Sequence, residues 1–346
     1  MLPPALATFI ERMPKVELHL HLEGAVSSRT FLQLSQRNDI ALPVQNEAEL
    51  AALFHYDDFH HFLDTFMVLA STIVSGDDFA LLAYELGKEL AAQQVIYAEV
   101  MISPMQHVRR GIDLREVVAG TAAGFAQARQ QGGPLVGIVF DYGRQYGAEA
   151  AWPILEVAID CRALGVVGWS IGGNEIGHPP EEFATLFAAA RKAGLGVMAH
   201  AGEVVGPASV WGAIDVLGVS RIGHGIRSIE DPTLVATLIE RGIVLDVCPS
   251  SNIRTKAVTS WQAHPLRQLY DAGVLVTINS DDPTFFETTI SEEFRRAAIH
   301  LGFTVDDLCT MTRNAAQATF LPPTERATLV TTIETLQRNL RLELGI

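Results

Sequence analysis

Eight short apolar segments alternate along the chain with amphipathic stretches, and most of the connections between them are short. That alternation predicts a parallel sheet covered by helices, and eight units favour closure into a (β/α)8 TIM barrel over an open sheet. Two further observations agree. A length of 346 residues suits such a barrel with insertions. No GxGxxG or GxxxxGKS/T follows the first strand, as a nucleotide-cofactor sheet would require.

The opening strand is Val16-Glu17-Leu18-His19-Leu20-His21-Leu22-Glu23-Gly24. Side chains alternate along a strand, so His19 and His21 share one side and can both reach one metal ion. Residues 25–94 then read as helices, with Ser27-Ser28 as a cap and Asp77 to Leu90 as an amphipathic run. A βα connection is normally far shorter. This insertion leaves the C-terminal end of a strand, where such barrels bind substrate, so a lid is its natural role. The aromatics Phe59, Phe62 and Phe66 recur there at helical spacing and read as core or lid packing.

From residue 95 the expected strands are Val95–Ile102, Leu135–Asp141, Gly165–Ile171, Leu195–His200, Arg221–His224, Ile243–Val247 and Val274–Asn279. Between them lie the helical stretches Leu114–Gln130, Ala148–Leu164, Pro180–Ala193, Ala208–Leu217, Pro232–Arg241 and Pro265–Ala272. The tail, roughly 305–346, reads as two or three helices ending in Glu325–Leu344. With no repeats or linkers, residues 1–346 form a single catalytic domain in this reading.

Composition narrows the function. Hydrophobic residues are 48% of the chain and charged residues 19%, enough for a large core. A net charge of -15 argues against nucleic-acid backbones and anionic membrane surfaces as partners. Cys161, Cys248 and Cys309 lie far apart and give neither a metal knuckle nor a disulfide framework. Cys248 follows an apolar strand without a base beside it, which reads as a buried, inert thiol. The N-terminus Met1-Leu2-Pro3-Pro4 shows no secretory pattern and no segment reaches the ~18 apolar residues of a membrane span, so a cytoplasmic protein is expected. A homo-oligomer is left open.

Polar residues collect at strand ends. The fifth strand runs into His200-Ala201-Gly202-Glu203, the sixth ends Gly223-His224-Gly225, and the eighth ends Ser280-Asp281-Asp282-Pro283. Strand ends form the catalytic face of a barrel, so these groups converge with His19 and His21. Imidazoles and carboxylates at one place suit a metal-dependent hydrolytic site.

These blocks, together with Met13-Pro14-Lys15 before them and Ala25 after Gly24, resemble the signatures of the adenosine deaminase family, zinc barrels of the amidohydrolase superfamily. The resemblance covers about residues 13–320. It implies one Zn2+ per chain held by His19, His21, His200 and Asp281, with Glu203 as proton shuttle and His224 orienting the water. It also implies Asp282 at the purine N7, the Gly173 backbone at N3, and a small-molecule 6-aminopurine as partner. The residue types agree independently, since a carboxyl of raised pKa can protonate a ring nitrogen. The fourth strand, Gly165 to Ile171, has no Lys, Asp or Glu to bridge a second metal.

The resemblance departs at two places. Family members usually carry Asp at the position of Glu23, which meets the ribose, and Gly-Asp-Glu where this chain has Gly173-Asn174-Glu175. The stretch Cys248-Pro249-Ser250-Ser251-Asn252-Ile253-Arg254-Thr255, with His264-Pro265-Leu266 after it, resembles relatives acting on adenine or on 6-aminodeoxyfutalosine, an adenosine with a bulky aromatic acid at its 5′ end. Arg254 is a candidate partner for that carboxylate. The expected activity is hydrolytic deamination of adenosine or a close relative, giving the 6-oxopurine and ammonia. The alternatives are an aminodeoxyfutalosine deaminase of menaquinone biosynthesis or an adenine deaminase. A zinc-bearing binding or signalling module is the non-enzymatic rival, and the filled catalytic positions speak against it.

Overall fold

The structure, a computed structural model, describes residues 2–346, the side chain of Phe59 excepted. Eight parallel strands follow one another around a single barrel in chain order. They are β1 (Lys15–His21), β2 (Val95–Ile102), β3 (Leu135–Gly143), β4 (Val166–Gly172), β5 (Gly196–Ala201), β6 (Arg221–His224), β7 (Val244–Val247) and β8 (Leu275–Ile278). The seam between β8 and β1 is drawn together by a bridge between Leu20 and Asp281. There Asp281 donates its N–H to His19 O at 3.1 Å, and His21 donates to Asp281 O at 2.9 Å. All eight expected strands form; seven have ends within two residues of expectation, while β1 stops at His21, three short of Gly24, because Glu23–Ala25 form a 3-10 turn.

The helices depart more from expectation, and proline explains part of it. The stretch 148–164 is broken into 3-10 turns at Glu149–Ala151 and Cys161–Leu164 around a helix at Trp152–Asp160. Pro153 in its first turn has no N–H to continue a preceding helix. Likewise Pro180–Phe183 is a 3-10 turn before the helix Ala184–Lys192. Helices at Pro4–Arg12 and Ile290–Leu301 were not anticipated. The tail forms Val305–Ala318 and Pro323–Leu344.

The insertion after β1 holds helices Ser28–Arg37, Glu47–Ala52, Phe59–Ala70 and Gly76–Ala92. Asn46, Asp58 and Ser75 cap three of them through their side-chain oxygens, which is why the insertion is helical despite its mixed composition. Phe62, Phe66, Phe285 and Phe286 pack edge to face and tilted over one another, fastening the insertion to the loop after β8. Within the barrel, Arg221 is fully buried between Glu99 (2.6 Å) and Asp246 (2.9 Å), with its guanidinium over Phe320. Among the described residues, no helix is long and apolar enough to cross a membrane.

Candidate metal centre and substrate cavity

His19 stands at the hub of the strand ends. Its ring lies 4.5 Å from that of His200 and 4.8 Å from that of His224, centroid to centroid. His19, His21 and His200 each bring a ring nitrogen within 4.8 Å of the others. Asp281 Oδ1 lies 3.3 Å from His19 Nε2 and 3.4 Å from His21 Nε2. The alternation of β1 and the register of β5 against β6 thus bring together the four residues expected as ligands.

This donor set fits a divalent metal. His19 is fully buried, yet neither of its ring nitrogens has a hydrogen-bond partner. Buried polar atoms are rarely left so, and a cation would satisfy them. Three imidazoles and a carboxylate are the ligand types of a zinc-like ion. The orientation of His200 is fixed from behind: its Nδ1 lies 3.1 Å from Ile171 O and 3.4 Å from Asp141 Oδ1. That leaves Nε2 for the centre. Burial alone would raise the Asp141 carboxyl, but the facing His200 outweighs it and holds Asp141 well below the usual range.

Two non-glycine residues here have left-handed backbone, His224 (φ 62°) and Asp281 (φ 64°). Such conformations cost energy and collect at functional sites. The turn at Asp281 separates it from Asp282. Burial would raise Asp281, but His19, His224 and His21 overcome that and keep it ionised. Asp282 is pushed up, first by burial and then by the charge of Asp281. Its Oδ1 is buried without a partner.

Glu203 is buried, and burial followed by the Asp281 charge raises its carboxyl to about 8. It therefore carries a proton at neutral pH. Its loop is clasped by Glu175, whose carboxylate accepts N–H groups from Gly202 (2.6 Å), Val204 (2.8 Å) and Val205 (2.8 Å). Glu175 closes the Gly173-Asn174-Glu175 motif, but its role depends on contacts that a linear reading did not supply.

A hydrogen-bond chain sets the tautomer of His224. Leu266 donates its backbone N–H to His264 Nδ1 (3.1 Å), so His264 carries its proton on Nε2. That nitrogen donates to Asn252 Oδ1 (3.3 Å), and Asn252 Nδ2 donates to His224 Nδ1 (3.1 Å). The remaining proton of neutral His224 is then on Nε2, which lies 3.6 Å from Glu203 Oε2 and 3.9 Å from Asp281 Oδ2. Asn252 and His264 stood in quoted motifs without an assigned role.

The cavity is lined by the strand-end residues His21, His200, Glu203, His224, Asp281, Asp282 and Gly173. Phe62, Leu63, Phe66 and Met67 of the insertion helix Phe59–Ala70, with Met105, supply apolar lining. The described side chains of the aromatic stripe thus pack in the core and also face the cavity; that of Phe59 lies outside the described residues. Two expected substrate contacts are elsewhere. Glu23 is one methylene longer than Asp and reaches away to His107 Nε2 (2.7 Å) and the Ser103 N–H (2.9 Å). Burial opposes its ionisation, yet these partners hold its carboxyl below the ordinary value. Arg254 does not line the cavity: it pairs with Glu287 at 2.9 Å and donates to Phe54 O. Cys248 is fully buried, and burial pushes its thiol well up, as an inert cysteine requires.

The family model described as adenosine deaminase matches residues 14–336. An adenine deaminase from Caulobacter vibrioides is 37% identical over 332 residues, 96% of each chain. An aminodeoxyfutalosine deaminase from Streptomyces avermitilis is 40% identical over 333 residues, covering 95% of this chain and 93% of that one. Among solved structures, the adenine deaminase of Arthrobacter aurescens superimposes with a TM-score of 0.89 at 31% identity, over 93% of this chain and 98% of that one. An amidohydrolase from Burkholderia ambifaria with bound Zn gives 0.91 at 29%, over 100% and 96%. The chain belongs to the adenosine deaminase family and is a hydrolase acting on C–N bonds.

Proposed function

We propose that this enzyme hydrolytically deaminates a 6-aminopurine nucleoside that carries an apolar extension at its 5′ end, with 6-aminodeoxyfutalosine as the type substrate. The single observation that carries the substrate choice is what lines the cavity beyond the strand ends. The strand-end residues offer polar partners to a purine, and Phe62, Leu63, Phe66 and Met67 of one insertion helix, with Met105, suit a further apolar group. The 40% identical relative named for that substrate supports the same reading.

His19, His21, His200 and Asp281 would hold one zinc ion, as the zinc-bearing structural relative supports. Zinc in that donor set supplies Lewis-acid activation of water. The protein residues do the rest. Protonated Glu203 donates to purine N1 as oxygen adds at C6, and protonated Asp282 donates to N7. The His224 Nε2–H holds the incoming oxygen, while the Gly173 backbone meets N3. Breaking the C6–N bond releases ammonia, so one water is consumed and the 6-oxopurine is formed. With Arg254 engaged elsewhere, Arg109 offers a guanidinium near the cavity, exposed and 5.2 Å from the ring centroid of the cavity-lining Tyr146. It is placed to receive the carboxylate of such a substrate.

Free adenine is the second reading, favoured by Glu23 turning away from the place of a ribose and by the adenine deaminases among the relatives. Unmodified adenosine, the leading expectation from sequence, has less support than either. Comparing kcat/KM for 6-aminodeoxyfutalosine, adenine and adenosine decides among them. The proposal expects the extended nucleoside to lead by at least about tenfold, with Arg109→Ala raising its KM and sparing adenine. Equal or better turnover of adenine would replace the lead with the second reading.

A further inference from the structure

We infer that Gln106, on the short helix after β2, is the residue that reads the sugar of the substrate. The inference rests on the nucleoside reading above. Gln106 is 5% exposed and lines the cavity, yet neither Nε2 nor Oε1 has a hydrogen-bond partner. A buried carboxamide with both ends unsatisfied is costly to keep. Its neighbours do not relieve it: the Ser103 N–H and the His107 ring on either side in sequence are both taken by Glu23. A residue of the cavity lining thus keeps a donor and an acceptor shielded from water and unpaired, a state that a ligand offering both would relieve.

The order of the strands indicates which part of the ligand this is. In a 6-aminopurine, N1 and N7 flank C6, with N1 on one side and N7 on the other. Two buried carboxyls flank the candidate centre in the same way: Glu203 follows β5 and Asp282 follows β8, and both line the cavity. With C6 at the centre, the perimeter of the purine then runs from N1 at β5 through N3 towards β4, and from N7 at β8 round to N9 towards β1 and β2. The loop after β1 is occupied internally, since Glu23 is turned to His107. Ser103, Met105 and Gln106 of the β2 loop line the cavity, and Gln106 is the one among them with both polar side-chain atoms buried and unpartnered. It thus stands where a substituent on N9 begins. A ribose there offers hydroxyls that both donate and accept, so Oε1 can accept from one while Nε2 donates to the other.

The test uses the metal-loaded full chain and Gln106→Leu, which keeps the volume and removes both polar atoms, with Gln106→Glu as a second variant that keeps acceptors and loses donors. Substrates are 6-aminodeoxyfutalosine, its 2′,3′-dideoxy analogue, and adenine. The expected result is a loss of about 100-fold in kcat/KM on the intact nucleoside for Gln106→Leu. A smaller loss is expected for Gln106→Glu, with changes under about threefold on the dideoxy analogue and on adenine. Equal losses on all three substrates would overturn the inference, as would a loss confined to adenine, which would place the amide on N9–H instead. If Gln106→Leu does not fold, the selectivity of Gln106→Glu between the intact and dideoxy nucleosides decides. Wild-type rates test the nucleoside reading, and variant-to-wild-type ratios test Gln106, so the two can fail separately.

Discussion

No β carbon fits at Gly24 beside Asp282. One built there would lie 2.5 Å from Asp282 Cγ and 2.6 Å from its Cβ, and would overlap Oδ1. Gly24 also accepts the Thr284 N–H at 3.1 Å, so the turn cannot easily back away. The glycine is what allows the loops after β1 and β8 to meet with Asp282 facing the cavity. Gly24→Ala should displace Asp282 and lower kcat/KM by about 100-fold while metal content stays stoichiometric. Metal analysis beside steady-state kinetics checks this, and unchanged kinetics would remove Asp282 from substrate contact.

Glu203 and Asp281 should separate chemistry from metal retention. Glu203→Gln keeps the shape of the proton donor but cannot cycle a proton, so kcat should fall by roughly three decades or more with metal still bound. Asp281→Ala removes a carboxylate from the donor set and should lower metal content instead. Near-normal turnover in the first variant, or stoichiometric zinc in the second, would reassign the role concerned.

The chain Leu266–His264–Asn252–His224 predicts a tautomer effect. An aspartate at 252 can only accept at neutral pH, so Asn252→Asp should draw the proton of His224 onto Nδ1 and strip Nε2 of it. The expected loss in kcat is on the order of 10³-fold, with KM changed little. Asn252→Ala should cost less, because it leaves the tautomer free and not reversed. Ring 15N chemical shifts of His224 read the tautomer directly, and an unchanged spectrum in the aspartate variant would reject the relay.

Stability should depend on a residue remote from the catalytic face. Arg221→Met leaves Glu99 and Asp246 buried without their shared partner. Breaking such a pair costs about 3–5 kcal/mol, visible as a lowered urea midpoint. The companion change Glu99→Gln should cost less, since Arg221 keeps Asp246.

The barrel and its centre were legible because each depends on local pattern. Strands carry their apolar runs with them, and His19, His21, His200 and Asp281 each sit where a strand ends. Other destinations were set by partners far along the chain. Glu23 turns to His107, 84 residues on, and Arg254 is claimed by Glu287 and by Phe54 O, 200 residues back. Nothing in the sequence near Glu23 or Arg254 announces those partners. Gln106 was silent for a related reason: a glutamine becomes informative only when its surroundings are seen to leave it unpaired. Helix breaks at Pro153 and Pro180 were visible in principle, but the amphipathic period masked them.

The bridge between Leu20 and Asp281 also bears on the order in which the protein is made. His19 and His21 are translated before His200, and His200 well before β8. None of these can be joined by Asp281 until the last strand has emerged and docked against the first. The donor set is therefore incomplete in every nascent chain and in every partly assembled barrel. On the proposed ligand assignment, metal binds with full affinity only once the seam has closed, so the retention of metal under denaturant should report the integrity of this one joint before it reports anything about catalysis.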